Sequence, residues 1–230
     1  FCVAGLAGRA CSTRGTYRSA LYRLAEAARG PAGQRPTPFA GAKAPVPYTP
    51  AEQAELAASA AAQRDAAKRS SALALVVFGI GAGLRPGELV ALRGSDVVRH
   101  GRQVSVHIGG PAARVVPVTA SYARRAGELA RRAGNDFVFR SGPAERGYKN
   151  FVSGFAAGLA ADPAAPALSL RRARSTFICR HLAAGTPVGV LLAITGIAEA
   201  GSLARYARHV SGISPSKGVL RARWRAERTR

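Results

Sequence analysis

Gly79-Ile80-Gly81-Ala82-Gly83-Leu84-Arg85-Pro86-Gly87-Glu88-Leu89 carries the first structural information in this chain. Three glycines at alternate positions suggest a dinucleotide loop, but the third glycine of a G-x-G-x-x-G run falls on Leu84, and no strand of a βαβ unit precedes it. A nucleotide-binding fold is therefore rejected. The nearly all-apolar run over residues 70–81 reads instead as an interior helix. The segment from Gly83 to Pro86 breaks it, and Pro86 opens a short new helix over 86–92. Arg85 and Glu88 then stand at i and i+3, a spacing at which the carboxylate can hold the guanidinium in one orientation. An oriented guanidinium fork suits a phosphate.

Downstream, Val104, Val106 and Ile108 alternate with Gln103, Ser105 and His107, the period-2 pattern of a half-buried strand. Gly109-Gly110-Pro111 turns it, residues 114–118 return, and residues 96–99 supply a third strand. Helices are predicted over 120–133, 149–160, 169–184, 187–194 and 200–206. Upstream, Thr49-Pro50-Ala51-Glu52 is a capping box with proline at the first helical position, which starts a helix running toward Lys68. The fold class is mainly α with a small antiparallel β-sheet (α+β). Residues 12–28 read as a helix carrying Tyr17, Leu21 and Leu24 on a stripe that one helix cannot bury by itself. The six prolines and three glycines in residues 30–50 keep the backbone extended. Four segments result: a terminal helix to residue 30, a Pro-rich linker over 31–48, a main domain over 49–210 and a basic tail over 211–230.

The 230 residues carry 34 Lys plus Arg against 12 Asp plus Glu, a net charge of +22, yet 47% are apolar and only 20% charged. Such a chain folds around a core and is neither a disordered basic tail nor a low-complexity linker. Codon bias can exchange lysine for arginine, but it does not remove acidic residues. A chain so charged repels itself unless a polyanion is near, which points to nucleic acid. The 7% aromatic content argues against recognition by stacking on single-stranded bases, and so against an RNA scaffold. The longest nearly uncharged apolar stretch, residues 72–84, falls short of the roughly 20 residues that a bilayer needs. The expectation is a soluble cytoplasmic protein with no membrane partner. Cys2, Cys11 and Cys179 are too scattered for a disulfide framework, and the four histidines show no metal-binding spacing, so no metal is expected.

A second arginine cluster, Leu170-Arg171-Arg172-Ala173-Arg174, opens another helix. Arg174 shares its face with Phe177, Ile178 and His181, so its charge lies along an apolar stripe and needs an anion. Arg172 fits a solvated basic run. Tyr206 closes the last compact helix, in Ala204-Arg205-Tyr206-Ala207.

The order of these pieces resembles the tyrosine recombinase (phage integrase) family. Gly83-Leu84-Arg85-Pro86-Gly87-Glu88-Leu89 comes first, then the hairpin ending Arg114-Val115-Val116-Pro117-Val118. Arg174-Ser175-Thr176-Phe177, Thr195-Gly196-Ile197 and Tyr206 follow. The likeness spans about residues 49–210, and residues 12–50 resemble the end of that family's N-terminal core-binding domain with its linker. It implies that Arg85 and Arg174 clamp the nonbridging oxygens of a scissile phosphate. Tyr206 would be the nucleophile that forms a 3′-phosphotyrosyl link. It implies that Glu88 steadies the first arginine, and that no cofactor is needed because the phosphotyrosine stores the bond energy for rejoining.

Three positions depart from the family pattern. The hairpin lysine, general acid for the leaving 5′-oxygen, falls near Gly109, and no lysine lies between Lys68 and Lys149. The histidine three residues before the second arginine is Arg171, and the histidine or tryptophan after the glycine is Ile197. Loss of general acid or base help costs about 10²- to 10⁴-fold in rate. His107 and Arg114 on the same hairpin are the available substitutes, although Arg114 suits a backbone phosphate better, as do Lys43 and Arg172. Two readings follow: a DNA-cleaving recombinase with a partial active site, or a catalytically degenerate homologue that binds duplex DNA. Both imply DNA at the bacterial nucleoid as the partner, with copies of the chain or an active relative assembled on it. In the tail, Trp224 beside Leu220 is either an anchor on a neighbouring protomer or part of a basic extension on the same DNA.

Overall fold

The computed structural model describes residues 5, 8–9, 11–30, 43–139, 151–159 and 166–210. The tail expected over 211–230 and most of the Pro-rich linker lie outside the described residues. The chain divides into two compact units, Phe1–Ala44 and Pro45–Arg230. In the first, the predicted helix forms as α1, Cys11–Arg29. Its stripe stays open, with Tyr17, Leu21 and Leu24 all exposed.

The second unit begins earlier than the linker expectation allowed. Pro45 to Tyr48 lies along the later helix α7 (Leu170–Ala183), where the Tyr48 N–H donates to Thr176 Oγ1 at 2.8 Å and Ser175 Oγ donates to the Pro45 carbonyl at 2.6 Å. The Tyr48 side chain is buried; its hydroxyl donates to the Ala167 carbonyl (2.6 Å) and accepts from the Ser169 N–H (2.7 Å). Burial pushes that phenol's pKa up. Proline-rich composition fixed an extended backbone here, and packing made it part of the domain.

The two helices expected over 49–68 and 70–81 form as α2 (Pro50–Ala61) and α3 (Ala66–Gly81), with the break between them earlier than expected. The capping box at Thr49 and Glu52 forms as read. Asp65 then caps α3 by accepting the Lys68 N–H at 2.6 Å, an N-cap contact worth about 1 kcal/mol. Helix α3 is the buried centre, packed by α2, α5 (Ala120–Ala133) and α7. Its glycines serve packing. A Cβ at Gly79 would lie 3.1 Å from the Ala173 Cβ, one at Gly81 would lie 2.7 Å from the Tyr122 Cβ, and one at Gly83 would lie 2.5 Å from the Phe177 ring.

Helix α4 (Pro86–Ala91) leads into a three-stranded antiparallel sheet in the order β1 (Val97–His100), β2 (Gln103–Ile108), β3 (Arg114–Pro117). Val104, Val106 and Val116 point inward and His107 outward, with Val106 opposite Val116 and Ile108 opposite Arg114. Helix α6 is Phe151–Ala157, and the expected start of that segment at Lys149 lies outside the described residues. Helix α8 (Val188–Thr195) packs on β3. The last predicted helix is a 3₁₀ turn, Ala200–Leu203, running into the short α9, Ala204–Ala207. The expected mainly α fold with one small sheet is what forms. Among the described residues no single helix is long and apolar enough to cross a membrane.

Candidate active site

Helix α8 ends at Gly196, which adopts the left-handed conformation (φ 63°) that favours glycine. The last carbonyls of a helix have no partners within it and carry the negative end of its dipole. Here three consecutive ones each receive a different arginine. Arg114 Nε donates to the Ile194 carbonyl at 3.0 Å, Arg174 Nη2 to the Thr195 carbonyl at 2.6 Å, and Arg85 Nη2 to the Gly196 carbonyl at 2.5 Å. A Cβ on Gly196 would stand 3.3 Å from both Arg85 Nη2 and Arg114 Nη1. Three guanidiniums from three distant parts of the sequence thus share one helix end.

Each is delivered by a separate element. Arg85 precedes α4, Arg114 opens β3, and Arg174 lies on α7, where the Pro45 to Tyr48 segment fixes the helix. Arg174 also donates to the Gly83 carbonyl at 2.6 Å, tying it to the turn after α3. Burial, together with the charge of Arg85, lowers its pKa to about 10, so it stays protonated at neutral pH. The Glu88 carboxylate opposes that shift. Tyr206 is buried on α9, which packs against α7. Cys179 Sγ contacts the Tyr206 carbonyl at 3.7 Å.

The one carboxylate in the group is Glu88. Its Oε2 accepts the Arg85 backbone N–H at 2.8 Å and Arg114 Nη2 at 2.9 Å, while Oε1 lies 2.8 Å from Arg114 Nη1. Burial acts to raise its pKa, but the bonds from Arg114 and the Arg85 backbone outweigh this and the net shift is downward. The Arg85 guanidinium is 3.8 Å from Glu88 and its side chain is 42% exposed. Sequence spacing paired Glu88 with Arg85. In space the carboxylate grips Arg114, 26 residues away, and holds Arg85 mainly through its backbone.

The remaining sequence-predicted positions scatter. Arg172 faces away from this group: its Nε donates to the Val46 carbonyl, its Nη2 to Glu52 at 2.8 Å, and its guanidinium stacks 4.0 Å from the Tyr48 ring. Arg171 is exposed beside an apolar cleft of about 740 Å³ lined by Leu75, Pro86, Val90, Phe151 and Leu170. Ile197 is half-buried just past Gly196, and Lys43 is exposed. Gly109 is exposed at the β2–β3 turn, with extended backbone (φ −90°, ψ −177°) and nothing within 4 Å of a Cβ built on it. Sequence reasoning missed the carbonyls of Ile194 and Thr195, because a backbone acceptor leaves no residue-type signal. Among the described residues no three His, Cys, Asp or Glu side chains are grouped to hold a metal ion.

No protein-family model and no curated protein sequence matches this chain. Solved structures do. XerH site-specific recombinase, bound to its difH substrate in a pre-cleavage complex, superposes with a TM-score of 0.62 at 15% identity, over 90% of this chain and 64% of XerH. The Tn1549 transposon integrase, in complex with a circular intermediate DNA, gives a TM-score of 0.60 at 17% identity, over 94% of this chain and 79% of the integrase. XerA recombinase gives 0.54 at 20% identity, over 95% and 76%. This is the tyrosine recombinase catalytic-domain fold. The turn before α4, the hairpin and α7 each bring one arginine to the end of α8. The chain spans less than two thirds of the length of XerH.

Proposed function

We propose that this chain binds duplex DNA and acts as a tyrosine recombinase, cutting and rejoining strands through a phosphotyrosyl intermediate. The observation that carries the reading is the set of three arginines on the carbonyls of residues 194–196, with Tyr206 buried on α9, which packs against the helix that carries Arg174. Three guanidiniums against one carboxylate leave a cationic surplus, and Arg85 keeps most of its donors for an incoming anion. Arg85 and Arg174 would hold the nonbridging oxygens of the scissile phosphate and stabilise the charge that builds on them in the transition state.

The Tyr206 oxygen attacks phosphorus as the bond to the 5′-oxygen breaks, giving a 3′-phosphotyrosyl ester, and the 5′-oxygen takes up a proton to leave as a hydroxyl. Attack by the 5′-hydroxyl of another strand reverses the step, so bond energy is conserved without a cofactor. Tyr206 is 6% exposed, so α9 must turn outward for in-line attack. The chain works beside DNA in the bacterial cytoplasm, at the nucleoid, and exchange between two duplexes calls for more than one protomer, supplied by its own copies or by a related recombinase. Lys43, Arg171 and neighbouring exposed arginines add backbone phosphate contacts, whose effect on affinity is salt-dependent.

A second reading, a duplex-binding module without catalysis, is favoured by the absence of a side chain at Gly109, where an acid should face the leaving oxygen. The experiment that separates them uses a nicked duplex carrying the cognate site, from which the short cleaved fragment diffuses away. A covalent protein–DNA adduct that is lost in Tyr206→Phe supports the enzyme. Equal duplex affinity of both proteins with no adduct on any cognate site supports the binding module.

A further inference from the structure

We infer that Arg114 is a positioning residue whose role is to occupy the Glu88 carboxylate so that the Arg85 guanidinium stays open to a phosphate. The inference rests on the proposed reading of Arg85 as a phosphate ligand. Arg114 itself is a poor candidate for direct contact. Its side chain is 7% exposed, and its Nε, Nη1 and Nη2 are all engaged, by the carbonyls of Ile194 and Ala112 and by both oxygens of Glu88. Arg85 presents the opposite state: 42% exposed, with one hydrogen bond from its guanidinium.

The geometry gives the consequence. Glu88 Oε1 lies 3.8 Å from Arg85 Nη1, within ion-pair range but beyond hydrogen-bond reach. A half-buried carboxylate stripped of Arg114 would need another cation, and Arg85 is the nearest. Closing that gap by about 1 Å would convert the open guanidinium into half of a neutral pair. Arg114 also braces the Ile194 carbonyl, so the same side chain holds the end of α8 on which Arg85 rests.

The test is isothermal titration of tungstate, a tetrahedral dianion, into the wild type, Arg85→Ala, Arg114→Met and the double variant Arg114→Met/Glu88→Gln, each checked for folding by thermal melting. Arg85→Ala should abolish binding and so locate the anion. Arg114→Met should weaken it about tenfold or more, and the double variant should recover to within about threefold of wild type. If Arg114→Met does not fold, Arg114→Lys with and without Glu88→Gln replaces it, because an ammonium cannot hold both carboxylate oxygens. In parallel, the slope of log K against log salt for duplex DNA should be the same in the double variant as in wild type, because Arg85 is open again and Arg114 touches no phosphate, whereas loss of a direct phosphate contact lowers it by about 0.9. A double variant no better than the single, or a reduced slope, overturns the role of Arg114 alone. Wild type binding tungstate no better than Arg85→Ala overturns the reading of Arg85 and the inference with it.

Discussion

At the end of α8, three guanidiniums are held by three successive backbone carbonyls and one of them also by the Glu88 carboxylate, while at the β2–β3 turn Gly109 offers no side chain and nothing lies within 4 Å of a Cβ placed there. The first region is over-determined and the second is open. In the proposed reaction they serve different steps: the arginines stabilise charge on the nonbridging oxygens, and the turn faces the departing 5′-oxygen. The contrast teaches that a phosphate clamp can be complete where proton delivery is not, and that binding and cleavage can be separated experimentally.

Filling the open region should have the largest effect. Gly109→Lys puts an ammonium where the backbone is extended and space is free, and should raise the rate of adduct formation on ordinary DNA by about 10²- to 10⁴-fold. On a substrate whose 5′-bridging oxygen is replaced by sulfur, the thiolate leaves without a proton, so the same variant should show no gain. Equal gains on both substrates would place the lysine's effect elsewhere than on the leaving group.

Removing part of the clamp comes next. Arg174→Ala should slow adduct formation on the sulfur substrate about 10²- to 10³-fold, with duplex affinity in a filter or anisotropy assay changed only a few-fold. A loss confined to affinity would move Arg174 from the chemistry to simple DNA contact.

How much of this contrast could be read beforehand differs between its sides. The hairpin, the Thr49 capping box and the places of Arg85 before α4 and Arg174 on α7 were legible, because period-2 alternation, a capping box and helix periodicity are written in residue types. The pairing of Glu88 was not, since a carboxylate chooses its partner in space and Arg114 lies 26 residues away. Arg172 was read as a DNA contact, and its tie to Glu52 spans 120 residues. The break between α2 and α3 was expected several residues too late, because residues 56–62 are nearly all good helix formers and only the Asp65 cap marks the restart.

Two smaller changes sharpen the picture of the clamp. Gly196→Ala forces a left-handed backbone on an ordinary residue and crowds two guanidiniums, and should cost about 1–2 kcal/mol of stability, read by urea unfolding. Glu88 has a folded pKa below its ordinary 4.5, so its contribution is present above that pH and is lost as pH falls through the folded value. Glu88→Gln should therefore flatten the acid limb of a stability profile taken from about pH 6 to pH 3, while leaving its neutral-to-alkaline shape alone.

The anchor for the arginines is main chain, and that bears on how this part of the molecule can change over generations. Ile194 and Thr195 meet the arginines through oxygens that any amino acid supplies, so their identities answer to the buried packing of α8 and not to the contact itself. The constraint concentrates instead on the terminating glycine. Relatives of this chain should therefore look unrelated along α8 while keeping its final turn in register, a kinship to be sought by superposition and seldom by aligned letters.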